Sequence, residues 1–500
     1  MSLFIRKPLS QLFAEAADSE KGLKRTLSAG SLVALGIGAI IGAGLFVRTA
    51  AAAGGHAGPA VTISFAIAAF GCALAGLCYA EFASMIPISG SAYTYSYTTM
   101  GEFVAWIIGW DLVLEYALGA ATVAIGWSQY LNRLFDDFFH FTIPYQWCHS
   151  PFQASDAGVH GILNIPAVFI LLMLSLLLIR GIHESALVNN IIVIVKVAIV
   201  ILIIILGWKF INPANHTPYL IPANAGKIKL NTGQIHNYAD PLNHGWLGVL
   251  RGAGIVFFAF IGFDAVSTAA QEAKNPKKDM PIGILLSLVI CTALYILFSH
   301  VLTGLAPYKE FMTTASEASV SYAITTYMPG YGWLSSLVTV AILAGFSSVI
   351  LVMLLGQTRV FYTMSNDGLV PSYFSKLHTK HRTPYKSQWV FFAFVSVFAA
   401  FVPDNIVGDM TSIGTLFAFV LVSIGVMIMR INNPEVPRYF KTPVYWLVCP
   451  LGALVCLTMI AGLGWENWTR LFVWLIIGFC IYFGYSIKHS KVRKNAANNK

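Results

Sequence analysis

The sequence predicts an all-α membrane protein, and three observations predict it. Of 500 residues, 57% are hydrophobic and 11% charged, whereas soluble domains carry about 25% charged residues. The apolar residues gather into runs that match the roughly 20 residues a helix needs to cross the hydrocarbon. The runs are continuous rather than alternating, which selects helices over a barrel.

Twelve runs are legible, at about 31–53, 60–83, 103–131, 161–180, 187–208, 248–270, 283–305, 333–358, 387–402, 411–430, 444–463 and 470–487. The third is long and the ninth short. Residues 1–30 are not a secretory signal. They mix Arg6, Lys7, Glu15, Asp18, Lys24 and Arg25 with Leu9, Leu12 and Phe13, the pattern of an amphipathic lead-in on the inner leaflet. The division expected is residues 31–208 as a first set of five spans, 209–247 as an outer loop, 248–430 as a second set of five, 444–487 as two more spans, and 488–500 as a basic tail.

The formal net charge of +9 would suggest nucleic acid for a soluble chain. Here the cations sit between apolar runs, so they report orientation instead. With the N-terminus inside, most Lys and Arg fall on the inner side, including Lys274, Lys277, Lys278, Arg359, Lys376, Lys380, Arg438, Lys441 and the tail. That bias, and the even number of runs, predicts both termini in the cytoplasm of a cell membrane. The seven cysteines are scattered singly, six of them inside apolar runs, and read as small buried hydrophobes.

Two runs are poor helices. The first carries Gly36, Gly38, Gly42 and Gly44 within nine residues, each costing about 1 kcal/mol relative to alanine. Gly38 and Gly42 suit a close-packing face; the alternative is a helix unwound near Ile41 to Gly44 with its backbone lining a cavity. The sixth is interrupted between Gly252 and Gly262, just before Asp264. Five spans separate the two breaks, so the second copy lies upside down relative to the first. Paired interruptions in corresponding positions mark the binding site of inverted-repeat transporters.

The chemistry of such breaks suits an amino acid. A helix that begins inside the membrane offers unused N–H groups and a positive dipole end, which favour a carboxylate. A helix that ends there offers orphan carbonyls, which favour an ammonium. The candidate substrate-binding segments are Ile40, Ile41, Gly42, Ala43 and Gly44 with Phe258, Ala259 and Ile261. The amides of Ala43 and Gly44 are assigned to the carboxylate, and the carbonyls of Ile40, Phe258, Ala259 and Ile261 to the ammonium. Phe258 is also the candidate gate.

Lys196 lies midway along the fifth run, too far from either end to reach water easily. It reads either as a tether to backbone carbonyls or as a proton-coupling group, because desolvation disfavours the charged form of a lysine. Asp264 suits an N-cap for the restarting half-helix, and also proton coupling. Glu115 faces either the cavity or a neighbouring span. Ser347 and Ser348 read first as interhelical hydrogen-bonders and second as pocket or coupling groups.

The runs Gly36-Ile-Gly-Ala-Ile-Ile-Gly-Ala-Gly-Leu-Phe-Val and Phe257-Phe-Ala-Phe-Ile-Gly-Phe-Asp-Ala-Val-Ser resemble the first and sixth spans of the amino acid–polyamine–organocation superfamily. Glu272-Ala-Lys-Asn-Pro-Lys-Lys-Asp-Met-Pro and Gly356-Gln-Thr-Arg-Val-Phe-Tyr-Thr-Met-Ser-Asn-Asp-Gly are similar to two of its loops. The similarity spans about residues 25–487 and is nearest the bacterial relatives of the cationic amino acid transporters. It implies the leucine-transporter fold, two inverted five-helix repeats plus two helices, and proton-coupled amino acid uptake. It also implies that Lys196 stands where sodium binds in sodium-driven relatives. Ala43 departs from the pattern, since relatives often carry a hydroxyl there.

The competing expectations are an amino acid or polyamine exchanger and, more remotely, a non-transporting nutrient sensor. A channel fits paired breaks poorly. An enzyme is not expected: no HExxH motif and no convincing nucleophile–base set is present. Neither metal nor cofactor is expected, protons being the coupling ion. The partners expected are the amino acid and the bilayer.

Overall fold

The computed structural model describes residues 3–8, 10–12, 25–42, 44–86, 88–153, 155, 158–229, 235–313, 319–462 and 465–498. The chain is a bundle of apolar helices: α1 (Ala29–Ile40), α2 (Val61–Met85), α3 (Glu102–Val113), α4 (Gly119–Phe139), α5 (Ile165–Arg180), α6 (Ile182–Trp208) and α7 (Gly245–Phe257). They are followed by α8 (Pro276–Leu305), α9 (Gly332–Asn366), α10 (Tyr385–Phe401), α11 (Asp404–Asn432), α12 (Tyr445–Gly462) and α13 (Trp465–Ile481).

Among the described residues, eight helical stretches are long and apolar enough to cross a membrane, and α1, α5, α10 and α12 are shorter apolar helices. The long third run is α3 and α4 joined through a π-helical turn, Leu114–Leu118. Such bulges relieve a local mismatch in a long helix and often mark functional positions.

The helices sort by what surrounds them. On α9, residues 348–365 are buried without interruption, and the helix packs against α4, α6 and α1 at the centre. On α6, Leu187, Ile191, Ile194, Ile201 and Ile205 are exposed while Asn189, Val193, Lys196, Val200 and Ile203 are buried. A helix that is apolar all round yet buries one side is one that faces lipid with the other.

The connection from α6 to α7, expected only as an outer loop, carries a small sheet. Strands Lys227–Lys229 and Ile235–Asn237 pair antiparallel, Ile228 opposite His236. The described part of the N-terminal lead-in packs on protein. Lys7 pairs with Asp367 at 2.5 Å, and the Glu102 and Phe103 amides donate to the Ile5 and Leu3 carbonyls. From the other end, Arg493 pairs with Glu102 at 2.5 Å. Residues 13–24, which hold most of the charges of the lead-in, lie outside the described residues.

The cysteines are free, and all but Cys480 are buried. Although they read singly in sequence, the fold brings the Cys78 and Cys449 sulfurs to 3.7 Å.

Candidate functional site

Two interrupted segments meet at the middle of the bundle. Helix α1 ends at Ile40; Ile41 turns extended (φ −77°, ψ 101°), and a π-helical turn restarts at Gly44–Arg48. Helix α7 ends at Phe257 and tightens into a 3-10 turn, Phe258–Phe260, before Ile261 turns extended. Gly262 then takes φ +110°, a conformation open to glycine but strained for other residues. Both interruptions fall where the glycine pattern places them.

The breaks touch. A Cβ on Gly44 would run into the backbone of Ala259, and one on Gly262 would sit 2.8 Å from the Ala39 Cβ. Glycine at these two positions lets the segments approach backbone to backbone. Tyr295 of α8 joins them, donating its hydroxyl to the Ile40 carbonyl at 2.8 Å and to the Ala259 carbonyl at 2.9 Å. The single proton of this buried phenol is shared between one carbonyl from each break.

Between the breaks lies a chamber lined by Ile40, Gly42, Gly44, Phe258 and Ile261, and closed by Val123, Val349, Met353 and Thr411 from α4, α9 and α11. Its volume of 20 Å³ is about what one water molecule requires. Admitting a larger solute requires these spans to move apart. Across the chamber wall the Arg48 guanidinium stands 5.2 Å from the Phe258 ring centroid, a cation–π contact that holds the aromatic ring in place.

The buried lysine sits behind the first break. Lys196 Nζ donates to the Gly38 carbonyl at 2.9 Å and the Ile41 carbonyl at 2.8 Å, and its side chain is fully buried. It occupies the C-terminal end of α1, where a cation complements the helix dipole and satisfies carbonyls without a following turn. Asn189, two turns earlier on α6, donates to the Ala34 carbonyl and accepts from Ser348 at 2.6 Å. Lys196 and Asn189 together bind α6 along the polar stripe of α1.

A second polar cluster joins the π turn to the segment after the sixth-run break. Asp264 accepts from the Tyr116 hydroxyl at 2.5 Å, and the Glu115 carboxyl rests against Asp264 and Thr415. Both acids are fully buried.

A profile for amino acid permeases matches residues 27–485 of this chain. The chain belongs to the amino acid permease family. The permease is 42% identical to a branched-chain amino acid permease of Bacillus subtilis over 99% of both chains. It is 40% identical to a methylthioribose transporter of the same organism, over 99% of this chain and all of that one. It is 33% identical to a vacuolar cationic amino acid transporter of Arabidopsis thaliana, over 87% of this chain and 68% of that one. These relatives are transporters, and the permease is a membrane transporter rather than an enzyme.

Of the residues singled out in the sequence, Ile40, Gly42, Gly44, Phe258 and Ile261 line the chamber. Ile41 and Ala259 stand behind it, their carbonyls taken by Lys196 and Tyr295. Ala43 lies outside the described residues. Three readings that the sequence left open take a side in the structure. Asp264 opens a 3-10 segment, Asp264–Glu272, rather than an α-helix; its carboxylate takes the Tyr116 hydroxyl and also lies against the amides of Asp264 and Ala265. Glu115 is not part of the described chamber lining, because it points from the π turn toward Asp264. Ser348 donates to Asn189 of α6, the interhelical bond expected of it, while Ser347 bonds its own helix at the Leu343 carbonyl, and neither belongs to the described chamber lining. Tyr295 and Arg48 were missed. One tyrosine and one arginine in apolar runs carry no local signal of a partner that lies elsewhere in the chain.

Proposed function

We propose that the permease is a proton-coupled symporter that carries amino acids into the cell by alternating access, with neutral, apolar side chains preferred. The observation that carries this reading is the chamber between two broken helices. Apart from the Thr411 hydroxyl its polar groups are those of the main chain, suited to a carboxylate and an ammonium, and its apolar wall is Val123, Val349, Met353, Phe258 and Ile261. No carboxylate lines it among the described residues, which argues against a guanidinium or a second ammonium as the preferred cargo. The likeness to a branched-chain amino acid permease points the same way.

In this reading the twelve apolar runs all cross the membrane, with the leucine-transporter arrangement of two inverted five-span repeats plus two spans and both termini in the cytoplasm. The amides of Ala43 and Gly44 receive the carboxylate, and the Ile261 carbonyl, with the second lone pairs of Ile40, Phe258 and Ala259, receives the ammonium. Phe258 gates. Lys196 loads and releases the coupling proton: when it loses its charge, its hold on the Gly38 and Ile41 carbonyls weakens and the first break is freed to move. Asp264 is the second proton-coupling group, through its contact with Glu115.

The likeness to a methylthioribose transporter supports a second reading. A sugar needs several hydroxyl partners, however, and the chamber's side-chain hydroxyl, Thr411, gives its proton to the Val407 carbonyl at 3.0 Å and is left as an acceptor alone. Uptake into proteoliposomes under an inward proton gradient, with no internal solute, separates the possibilities. Symport gives accumulation of leucine, isoleucine or valine. An exchanger takes up label only when amino acid is present inside, a methylthioribose transporter accumulates the thiosugar instead, and a nutrient sensor moves nothing.

A further inference from the structure

A second cavity, of 530 Å³, opens between the last turn of α11 and the start of α12, walled by Arg430, Pro434, Glu435, Arg438, Lys441 and Tyr445. Beneath it lies Glu81 of α2, buried, which receives Arg430 Nε at 2.7 Å, Arg430 Nη2 at 2.9 Å and the Thr442 amide at 2.8 Å. Arg438 Nε also approaches Glu81, at 3.2 Å. One carboxylate thus faces two guanidiniums, whose side chains are only 15% and 3% exposed.

The remaining donors divide sharply. Arg438 spends its Nη atoms on the carbonyls of Met429, Asn433, Pro434 and Val436. Arg430 keeps Nη1 without a partner among the described residues, and its guanidinium is fixed in direction by the Tyr445 ring, 5.0 Å from its centre. Lys441 is exposed and has no hydrogen-bond or ion-pair partner among the described residues. Glu435, also exposed, is the other carboxylate on the wall. Three cations against Glu81 and Glu435 leave a surplus of one positive charge, aimed into a cavity between the ends of two apolar helices.

The rim is built for lipid. Val444, Trp446 and Leu447 at the start of α12 are 52%, 66% and 51% exposed, placing an indole and two aliphatic side chains beside the cationic pocket. Aromatic and cationic residues of this kind gather at the level of the headgroups. We propose that this pocket binds the phosphodiester headgroup of a singly charged anionic phospholipid, with Arg430 Nη1 and Lys441 Nζ on the phosphate oxygens and the acyl chains along the exposed face of α12. A phosphodiester carries the one negative charge that cancels the surplus, and guanidinium and ammonium donors suit its oxygens.

The test uses purified full-length permease in a neutral detergent, with thermal unfolding and native mass spectrometry as readouts. Phosphatidylglycerol, phosphatidylcholine and inorganic phosphate are added separately to the wild type, Lys441→Gln and Lys441→Arg. Lys441 has no role in the fold, so both variants are expected to unfold at the wild-type temperature without lipid. Phosphatidylglycerol is expected to raise the unfolding temperature and remain bound in the wild type and Lys441→Arg, with most of the effect lost in Lys441→Gln. Equal effects of phosphatidylcholine, or an undiminished response of Lys441→Gln, would overturn the site. Inorganic phosphate reproducing the stabilisation would overturn the lipid assignment in favour of a soluble anion.

Discussion

Lys196 donates to the carbonyl of Ile41, 2.8 Å away, at the residue where the first apolar helix loses its winding. With its second bond, to Gly38, the lysine holds the lip of the break whose next residues, Gly42 and Gly44, stand on the chamber wall. The contact joins a titratable group to the segment proposed to bind substrate, so its protonation and the shape of the break are linked.

Replacing Lys196 with methionine keeps the stem and removes both donors. The expected outcome is loss of pH-driven accumulation in proteoliposomes, with binding of amino acid to the purified protein still detectable. Accumulation equal to the wild type would remove the lysine from the coupling mechanism.

Tyr295→Phe deletes a single oxygen and leaves the carbonyls of Ile40 and Ala259 short of a donor. Unsatisfied buried acceptors cost about 1–3 kcal/mol, so the variant should unfold at a lower temperature and bind substrate more weakly. An unchanged unfolding midpoint and affinity would show that the two breaks do not depend on this clamp.

Arg48→Gln removes the cation over Phe258. The contact is worth about 0.5–1 kcal/mol at a partly exposed site. Substrate should therefore dissociate a few-fold faster, while Phe258→Ala, which removes the ring itself, makes the loss of Arg48 silent. Stopped-flow dissociation of the single and double variants reads this coupling directly.

Glu272 and Arg359 form an ion pair at 2.8 Å, with side chains 1% and 3% exposed. The pair joins the end of the 3-10 segment to α9, and the Glu272 carbonyl also receives the Thr26 and Leu27 amides ahead of α1. Arg359→Met strands a buried carboxylate, for which about 3–5 kcal/mol is expected. A large fall in thermal stability is predicted, and a variant as stable as the wild type would contradict it.

The parts of this architecture that could be read from the sequence were those with a local cause. Four glycines before Phe46 announce a weak helix, Gly262 beside Asp264 announces a second, and Lys196 in an aliphatic run announces a buried cation. Each needs only its own neighbours to be noticed. Residues whose meaning depends on distant partners were not legible. Tyr295 lies over 250 residues from Ile40 in the chain, and Val349 and Met353 are apolar among apolar neighbours. Asp264 was legible only in part for the same reason: its own neighbours announce the start of a segment, but not the bond from Tyr116 on another span. The Lys7–Asp367 pair was equally hidden, because a charged lead-in next to a membrane reads as surface until a buried carboxylate is placed opposite it.

The most direct test of the substrate cradle is titration calorimetry of leucine against purified wild type and Gly44→Ala. The added methyl would meet the Ala259 backbone and wedge the two breaks apart. The account predicts measurable binding to the wild type and at least a tenfold loss in the variant, about 1.4 kcal/mol, in protein that remains folded. Wild-type affinity in folded Gly44→Ala would contradict it.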